Sequence, residues 1–279
     1  MEPTQSFYVT LPSNVMGIRT NTIGNYVTYL PSHIKLDKKW KVAITEIFYT
    51  NSWFNLKQEN KVYLKWRLDE KDTWFKSEDA FVTVKLEPGR YENIEEIIKK
   101  IEEAENDPFY KTEAFTKFYK VKPKLYVDKA GHRLRMDRTP TDSRMKFMYY
   151  EFTREIADML GIEIYDKSNN NWVYKDKSVN CIAKNSFDLT GGIHSLYVYT
   201  DIVDFSYVGD TRSQLLRVVE IPNNSKYGDH VHISFPKPYY MPVVKNDIAS
   251  IEIDIKDDQG NSIDFKFGRV EVVLHFLKQ

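Results

Sequence analysis

Short runs in which apolar and polar residues alternate recur along most of this 279-residue chain, and a period of two suits only a strand with one face in a core and the other in water. In Trp40–Phe48, the residues Trp40, Val42 and Ile44 point inward, joined by Ile47 after a slip of one residue, while Lys41, Thr45 and Glu46 face away. Val62, Leu64, Trp66 and Leu68 alternate with Tyr63, Lys65 and Arg67, and Phe81–Leu86 repeats the pattern until Pro88-Gly89, a turn dipeptide, stops it. The signal is strongest after residue 193, in Ser195–Val203, Leu215–Ile221, His230–Phe235, Ile251–Ile255 and Val270–Phe276. Asp257-Asp258-Gln259-Gly260 reads as a turn, with Ile263, Phe265 and Phe267 beginning the return strand. About a dozen short strands with little helix describe a β-sandwich or barrel, not an alternating α/β sheet.

Two stretches change period. Ile94, Ile97, Ile98 and Ile101 share a helical face behind a cap at Asn93, with glutamates early and lysines late, and the helix should stop before Pro108. A second helix is expected over Glu151–Leu160, with Gly161 as its left-handed cap. No repeat or low-complexity linker divides the chain, so the expectation is one domain over 1–279. Residues 1–39 form an arm leading into the first core strand, and 100–186 an elaborated insertion region. The expected core is Val42, Ile44, Leu64, Val84, Leu196, Val198, Ile253, Ile255, Val272 and Leu274.

Forty basic residues against forty acidic exclude a globally basic nucleic-acid binder and an acidic tail protein. The lone Cys181 excludes an intrachain disulfide framework and a cysteine metal cage, and its default is an inert thiol. The opening residues lack a signal-peptide pattern and charges interrupt every apolar stretch, so a soluble cytosolic or nuclear protein without a membrane span is expected. Phosphate-binding loops, dinucleotide fingerprints, zinc-protease motifs and nucleophile elbows are missing, and no cofactor is expected.

Three clusters carry some chemistry. His230 and His232 flank Val231 and project from one face of a strand, as two metal ligands would, with Asp229 or Asp201 as conceivable thirds. Spacing fixes no third ligand, which favours an ordinary exposed strand face. Asp254, Asp257, Asp258, Gly260 and Asp264 fail the calcium-loop spacing and suit a hairpin turn. Between Lys111 and Lys146, eleven basic residues stand against four acidic, interleaved with Phe115, Phe118, Tyr119, Tyr126, Phe147, Tyr149 and Tyr150. Such a segment can grip DNA by phosphate contact and stacking, with Arg133, Arg135 and Arg138 as candidates. The alternation of the aromatics favours an amphipathic hairpin with solvated lysines and core aromatics.

Several segments, in order, resemble the minor capsid, or penton, proteins of the Polinton/Maverick group of integrating double-stranded DNA viruses, including adintovirus-like elements. They are Phe7–Asn14, Asn25–Pro31, Trp40–Ile47 with Ser52–Asn55, Pro88-Gly89-Arg90-Tyr91 ahead of a helix, Leu196–Val203 with Val208-Gly209-Asp210 and Leu215-Leu216-Arg217, and Tyr239–Val243. The most specific runs from Ile251–Ile255 through Gly260 to Phe267–Val270 and Leu274-His275-Phe276. In the middle third only Ala157–Ile162 matches.

The resemblance implies an all-β fold, a single jelly-roll β-sandwich with short helical and loop insertions, that forms a homopentamer at capsid vertices without catalysis. It implies the major capsid protein of the same virus and packaged double-stranded DNA as partners, and the virion capsid as location, with assembly in the host nucleus or cytoplasm. Trp53, Phe54, Trp74, Phe75 and Trp172 are then candidate interface anchors. The alternatives are a host β-sandwich module binding carbohydrate or peptide, a jelly-roll enzyme using His230 and His232, and, within the viral reading, a major capsid subunit, which should be longer. Leu189-Thr190-Gly191-Gly192 could be a protease site in such a family, although a turn before the next strand is expected.

Overall fold

The computed structural model describes residues 5–14, 20–37, 39–67, 82–103, 124–137, 147–163, 171–173 and 180–279. Two compact units make up the chain, residues 1–53 with 193–279, and residues 54–192. The first unit opens with β1 (Ser6–Pro12), β2 (Asn25–Lys35) and β3 (Trp40–Thr50). The second holds β4 (Asn60–Arg67), β5 (Val82–Leu86), α1 (Ile94–Glu102), β6 (Lys124–Asp128), β7 (Arg133–Asp137), β8 (Phe147–Thr153), α2 (Arg154–Met159), β9 (Asn171–Val173) and β10 (Asn180–Ile182). The chain returns to the first unit with β11 (Ser195–Thr200), β12 (Ser206–Val208), β13 (Thr211–Ser213) and β14 (Leu215–Glu220). It ends with β15 (His230–Ser234), β16 (Met241–Pro242), β17 (Asp247–Lys256) and β18 (Val270–Lys278).

In the first unit one sheet runs β1-β18-β3-β15, with β16 also paired to β3, and the other runs β14-β11-β17-β2, all antiparallel. Along the chain, leaving aside the two-residue β16, every connection between the other eight strands changes sheet except that from β11 to β14. This is the strand order of a jelly roll, in which the crossings hold two sheets face to face. Val42, Ile44, Ile47, Val272, Leu274 and Phe276 from the first sheet share one buried cluster with Tyr26, Leu196, Val198, Ile251, Ile253 and Ile255 from the second.

The slip in the β3 pattern is a β-bulge. Val273 pairs with Glu46 and Leu274 with Ile44, so Thr45 is the extra residue, and Ile44 and Ile47 both reach the core. The stretch expected as an arm is strand. Leu11 of β1 and Tyr26 of β2 are fully buried, and the Tyr26 hydroxyl donates to the Leu11 carbonyl. Burial, with a smaller contribution from Glu271, raises that phenol's pKa. The return strand starts at Val270, not at Ile263. Ile263 and Phe265 are buried, yet their amides bond to Ile255 and Ile263 carbonyls in a local turn.

The second unit has sheets β5-β4-β8-β9 and β10-β7-β6. Here β4 and β5, expected in the sandwich, pair with each other, and β4 pairs with β8 on its other side. Val84 accordingly lies at the margin of the second unit's core, and the Leu64 side chain is outside the described residues. Asn93 caps α1, its Oδ1 accepting from the Glu96 amide, and Ile94, Ile97, Ile98 and Ile101 are buried with Phe152, Ile156 and Met159. The second helix is shorter than expected, since Phe147–Thr153 is strand. Its end is as expected. Gly161 has φ +70° and the Ile162 amide reaches the Ala157 carbonyl, a Schellman closure.

Candidate assembly surface

Strand alternation puts Ser6, Tyr8 and Thr10 of β1 on the outer face of the first sheet, with Glu271 and His275 of β18, Glu46 and Phe48 of β3, and His230 and His232 of β15. Aromatic rings line both margins of that face. Tyr8, 63% exposed, stacks on His275 at 4.4 Å between centroids, and the Tyr240 oxygen lies 2.7 Å from His275 Nδ1. Burial holds the His275 imidazole below its ordinary pKa. On the other margin His232 lies parallel to Phe48 at 4.2 Å.

His230 and His232 do share a face, but their ring nitrogens have other partners. His230 Nδ1 is 3.0 Å from Thr50 Oγ1 and His232 Nε2 is 3.2 Å from Glu46 Oε2. Asp201 pairs with Lys245 and accepts from the Glu252 amide, while Asp229 accepts from the Lys226 amide. Among the described residues no three His, Cys, Asp or Glu side chains come together as a metal group. The aspartate turn behaves as a hairpin staple. Buried Asp257 accepts from the Gln259 and Asn261 amides and from Asn261 Nδ2, and Asp254 and Asp264 pair with Lys256 and Lys266.

A second exposed group lies along the connection between β11 and β14. Among the described residues hairpin β12–β13 pairs only with itself, and it carries Tyr207, 83% exposed, opposite Arg212, whose guanidinium lies 5.8 Å from the ring centroid. Phe205 precedes it. The neighbouring segment Val203–Asp204 pairs with Pro242–Val243, so exposed Tyr239 and Val244 flank the same ribbon. Sequence reading chose none of Phe205, Tyr207 and Val244 as anchors, although Gly209-Asp210 between two short runs is a hairpin signal. It chose Trp53 instead, which is a core residue, 2% exposed and edge-on to Phe265 at 5.5 Å. Phe54 is half-buried. Trp74 and Phe75 lie outside the described residues, as do the side chains of Trp172 and Cys181.

Of the basic segment, Lys124–Asp137 is described, and it forms the hairpin β6–β7 in the second unit. Leu125, Leu134 and Met136 are buried, while Tyr126 and Arg135 pair across the opposite face with the guanidinium 5.7 Å from the ring centroid. Arg133 is 3.9 Å from Asp128, and Arg138 lies outside the described residues. The Leu189–Gly192 segment is a pinned turn. Asn55 Nδ2 donates to the Leu189 carbonyl, the Thr190 amide to Asp188, and the Gly192 amide to Thr190 Oγ1. No described helix is long and apolar enough to cross a membrane.

No family model matches the chain, and neither does any curated protein. Among solved structures it is similar to the penton protein of mavirus, at 11% identity and a TM-score of 0.46, over 98% of this chain and 99% of that one. Likeness at that level carries no weight for function, and the fold assignment rests on the strand order.

Proposed function

We propose that this chain is a structural capsid subunit of the penton type, forming a homopentamer at icosahedral vertices with no catalytic step. The observation that carries the reading is the complete jelly-roll strand order in the first unit. The segments that resemble penton proteins of the Polinton/Maverick, adintovirus-like group supply seven of its eight sandwich strands, all but β15. A closed ring needs two unlike patches on each copy, which meet head to tail. In this reading the partners are four more copies and the major capsid protein of the same virus. The location is the virion capsid, after assembly in the host nucleus or cytoplasm. The whole chain is one capsid subunit, with 54–192 inserted in sequence between β3 and β11, and Arg133 and Arg135 of hairpin β6–β7 contact packaged double-stranded DNA.

The test is mass by light scattering over a wide concentration range, alone and with the major capsid protein. A species of five copies is the expected result. A strict monomer under both conditions overturns the reading, and a monomer that selects ligands on a glycan array points to a binding module.

A further inference from the structure

The four outer edges of the sandwich are treated differently. In β1 the ladder to β18 is fixed by bonds at both ends, Lys278 amide to Gln5 carbonyl and Ser13 amide to Val270 carbonyl, with the register unbroken between them. Antiparallel pairing then directs Phe7, Val9 and Leu11 toward β18, and leaves the amides and carbonyls of Ser6, Tyr8 and Thr10 facing outward. The same reasoning applies to β15. The Asn51 amide bonds to Asp229 and the Phe235 amide to Thr45, so the backbone groups of His230, His232 and Ser234 face away from β3. No described residue supplies a backbone partner to either set.

The second sheet guards its edges. On β2 the Asn21 side chain closes on Val27 from both sides, Nδ2 donating to its carbonyl at 3.1 Å and Oδ1 accepting from its amide at 3.0 Å, and Pro31 follows. β14 carries Arg217 and Glu220. Clamps, prolines and charges are the usual devices against edge pairing. β1 has no charged residue, and its proline, Pro12, only ends the open stretch. β15 has neither Lys, Arg, Asp, Glu nor Pro.

We infer that the first sheet continues from copy to copy, the open edge of β15 in one copy accepting β1 of the next. This rests on the ring reading above and names the contact that closes it. Charge matching selects a second copy as the occupant, because neither edge strand carries Lys, Arg, Asp or Glu and the chain as a whole carries 40 basic and 40 acidic residues, so copies do not repel. Direction agrees. Strands alternate along β1-β18-β3-β15, so its outer strands run oppositely, and in a ring with its axis along the strands β15 meets the next β1 antiparallel. Unlike edges of one sheet make a head-to-tail contact. The pairing also sets the Tyr8–His275 stack of one copy beside the Phe48–His232 stack of its neighbour.

The experiment compares wild type with Thr10→Pro and His232→Pro, each of which deletes an outward amide and leaves the native ladder intact. Both variants should keep the wild-type circular dichroism and raise the dissociation constant of the ring about tenfold or more, since a lost donor strands its partner carbonyl. If proline disrupts folding, Thr10→Lys places a charge on the same edge and should act likewise. In wild type, hydrogen exchange at Tyr8, Thr10, His230 and His232 should slow at least tenfold on going from dilute monomer to ring. A ring that ignores all these substitutions and exchanges these amides freely overturns the edge contact and leaves the ring standing. A strict monomer overturns both. A dimer broken by Thr10→Pro but not by His232→Pro means like-to-like β1 pairing and overturns the head-to-tail contact, as does edge protection that appears only when an unrelated peptide is added.

Discussion

Asn55 is 1% exposed, and its amide makes three bonds within the second unit. Nδ2 donates to the carbonyls of Tyr91 at 2.9 Å and Leu189 at 2.7 Å, and Oδ1 accepts from the Tyr91 amide at 2.9 Å. Asn55→Ala therefore leaves one N–H and two C=O groups without partners in a buried place, each costing about 1–3 kcal/mol. Allowing for water entering the space, the sum is about 3–5 kcal/mol, or a fall of about 10 °C in that unit's melting temperature. Differential scanning calorimetry on the full chain measures it. The control is Asn55→Asp, which conserves volume but aims a carboxylate oxygen at two carbonyls. If polar satisfaction is the cause, Asp is worse than Ala at pH 7. If filling space is the cause, Asp is the milder change, and that order would refute the reasoning. Asn55→Ala should also speed cleavage within Leu189–Gly192, since the Leu189 carbonyl loses its anchor.

Ile253→Asp buries an unpaired carboxylate at a fully buried position in the middle of β17, and should cost more than about 4 kcal/mol, read as insoluble or unfolded protein by circular dichroism. Gly268→Ala sets a Cβ against the Thr50 side chain at φ +87°, and should lower the melting temperature of the first unit by several degrees, whereas the open turn position Gly260 should tolerate Ala better. Burial lowers the His275 pKa, so the folded state prefers the neutral ring. Its contribution is complete above the ordinary value of 6.5 and is lost as pH falls through the lowered one, and His275→Gln should flatten that part of a pH–stability curve. Replacing Arg133, Arg135 and Arg138 by Ser should weaken duplex DNA binding and reduce its salt slope by about 0.9 per lost phosphate contact, in a filter-binding titration from low to moderate salt.

What was legible in the sequence is what local periodicity encodes. The alternation in Trp40–Ile47 specified both the inward residues and the bulge, because a slip of one residue is visible as two apolar residues out of phase. Asn93 and Gly161 marked helix ends, since capping is local chemistry. Pairing was not legible. Val62, Val84 and Ile253 share the same alternation, yet the first two build a sheet of the second unit and the third lies in the sandwich, a difference set by partners far along the chain. Arm and strand were confused at Ser6–Pro12 because its inward residues Phe7, Val9 and Leu11 find their ladder more than 250 residues away, on β18. Trp53 misled for another reason. A large aromatic between strands reads equally as surface anchor or core plug, and only the edge-on contact with Phe265 decides between them.

The proposed assembly surface shows the same division. Tyr207 and Tyr8 are exposed because the strands that carry them have an outward phase, which alternation can show once the strand is known. Whether an edge is open depends on residues outside the strand. Val27 looks no more protected than Tyr8 in sequence, and what separates them is Asn21, six residues before Val27, folded back so that its amide stands in for a neighbouring strand. An asparagine clamp on one sheet and bare backbone on the other means that the fold resists pairing through the second sheet and permits it through the first. That asymmetry follows from hydrogen-bond bookkeeping alone, and it makes Asn21→Ala informative. The substitution should open the β2 edge at Val27, and if edge guarding directs assembly, the variant should form larger, irregular aggregates by light scattering while its core stability changes little. An unchanged, well-defined particle would show that the clamp serves only the local turn.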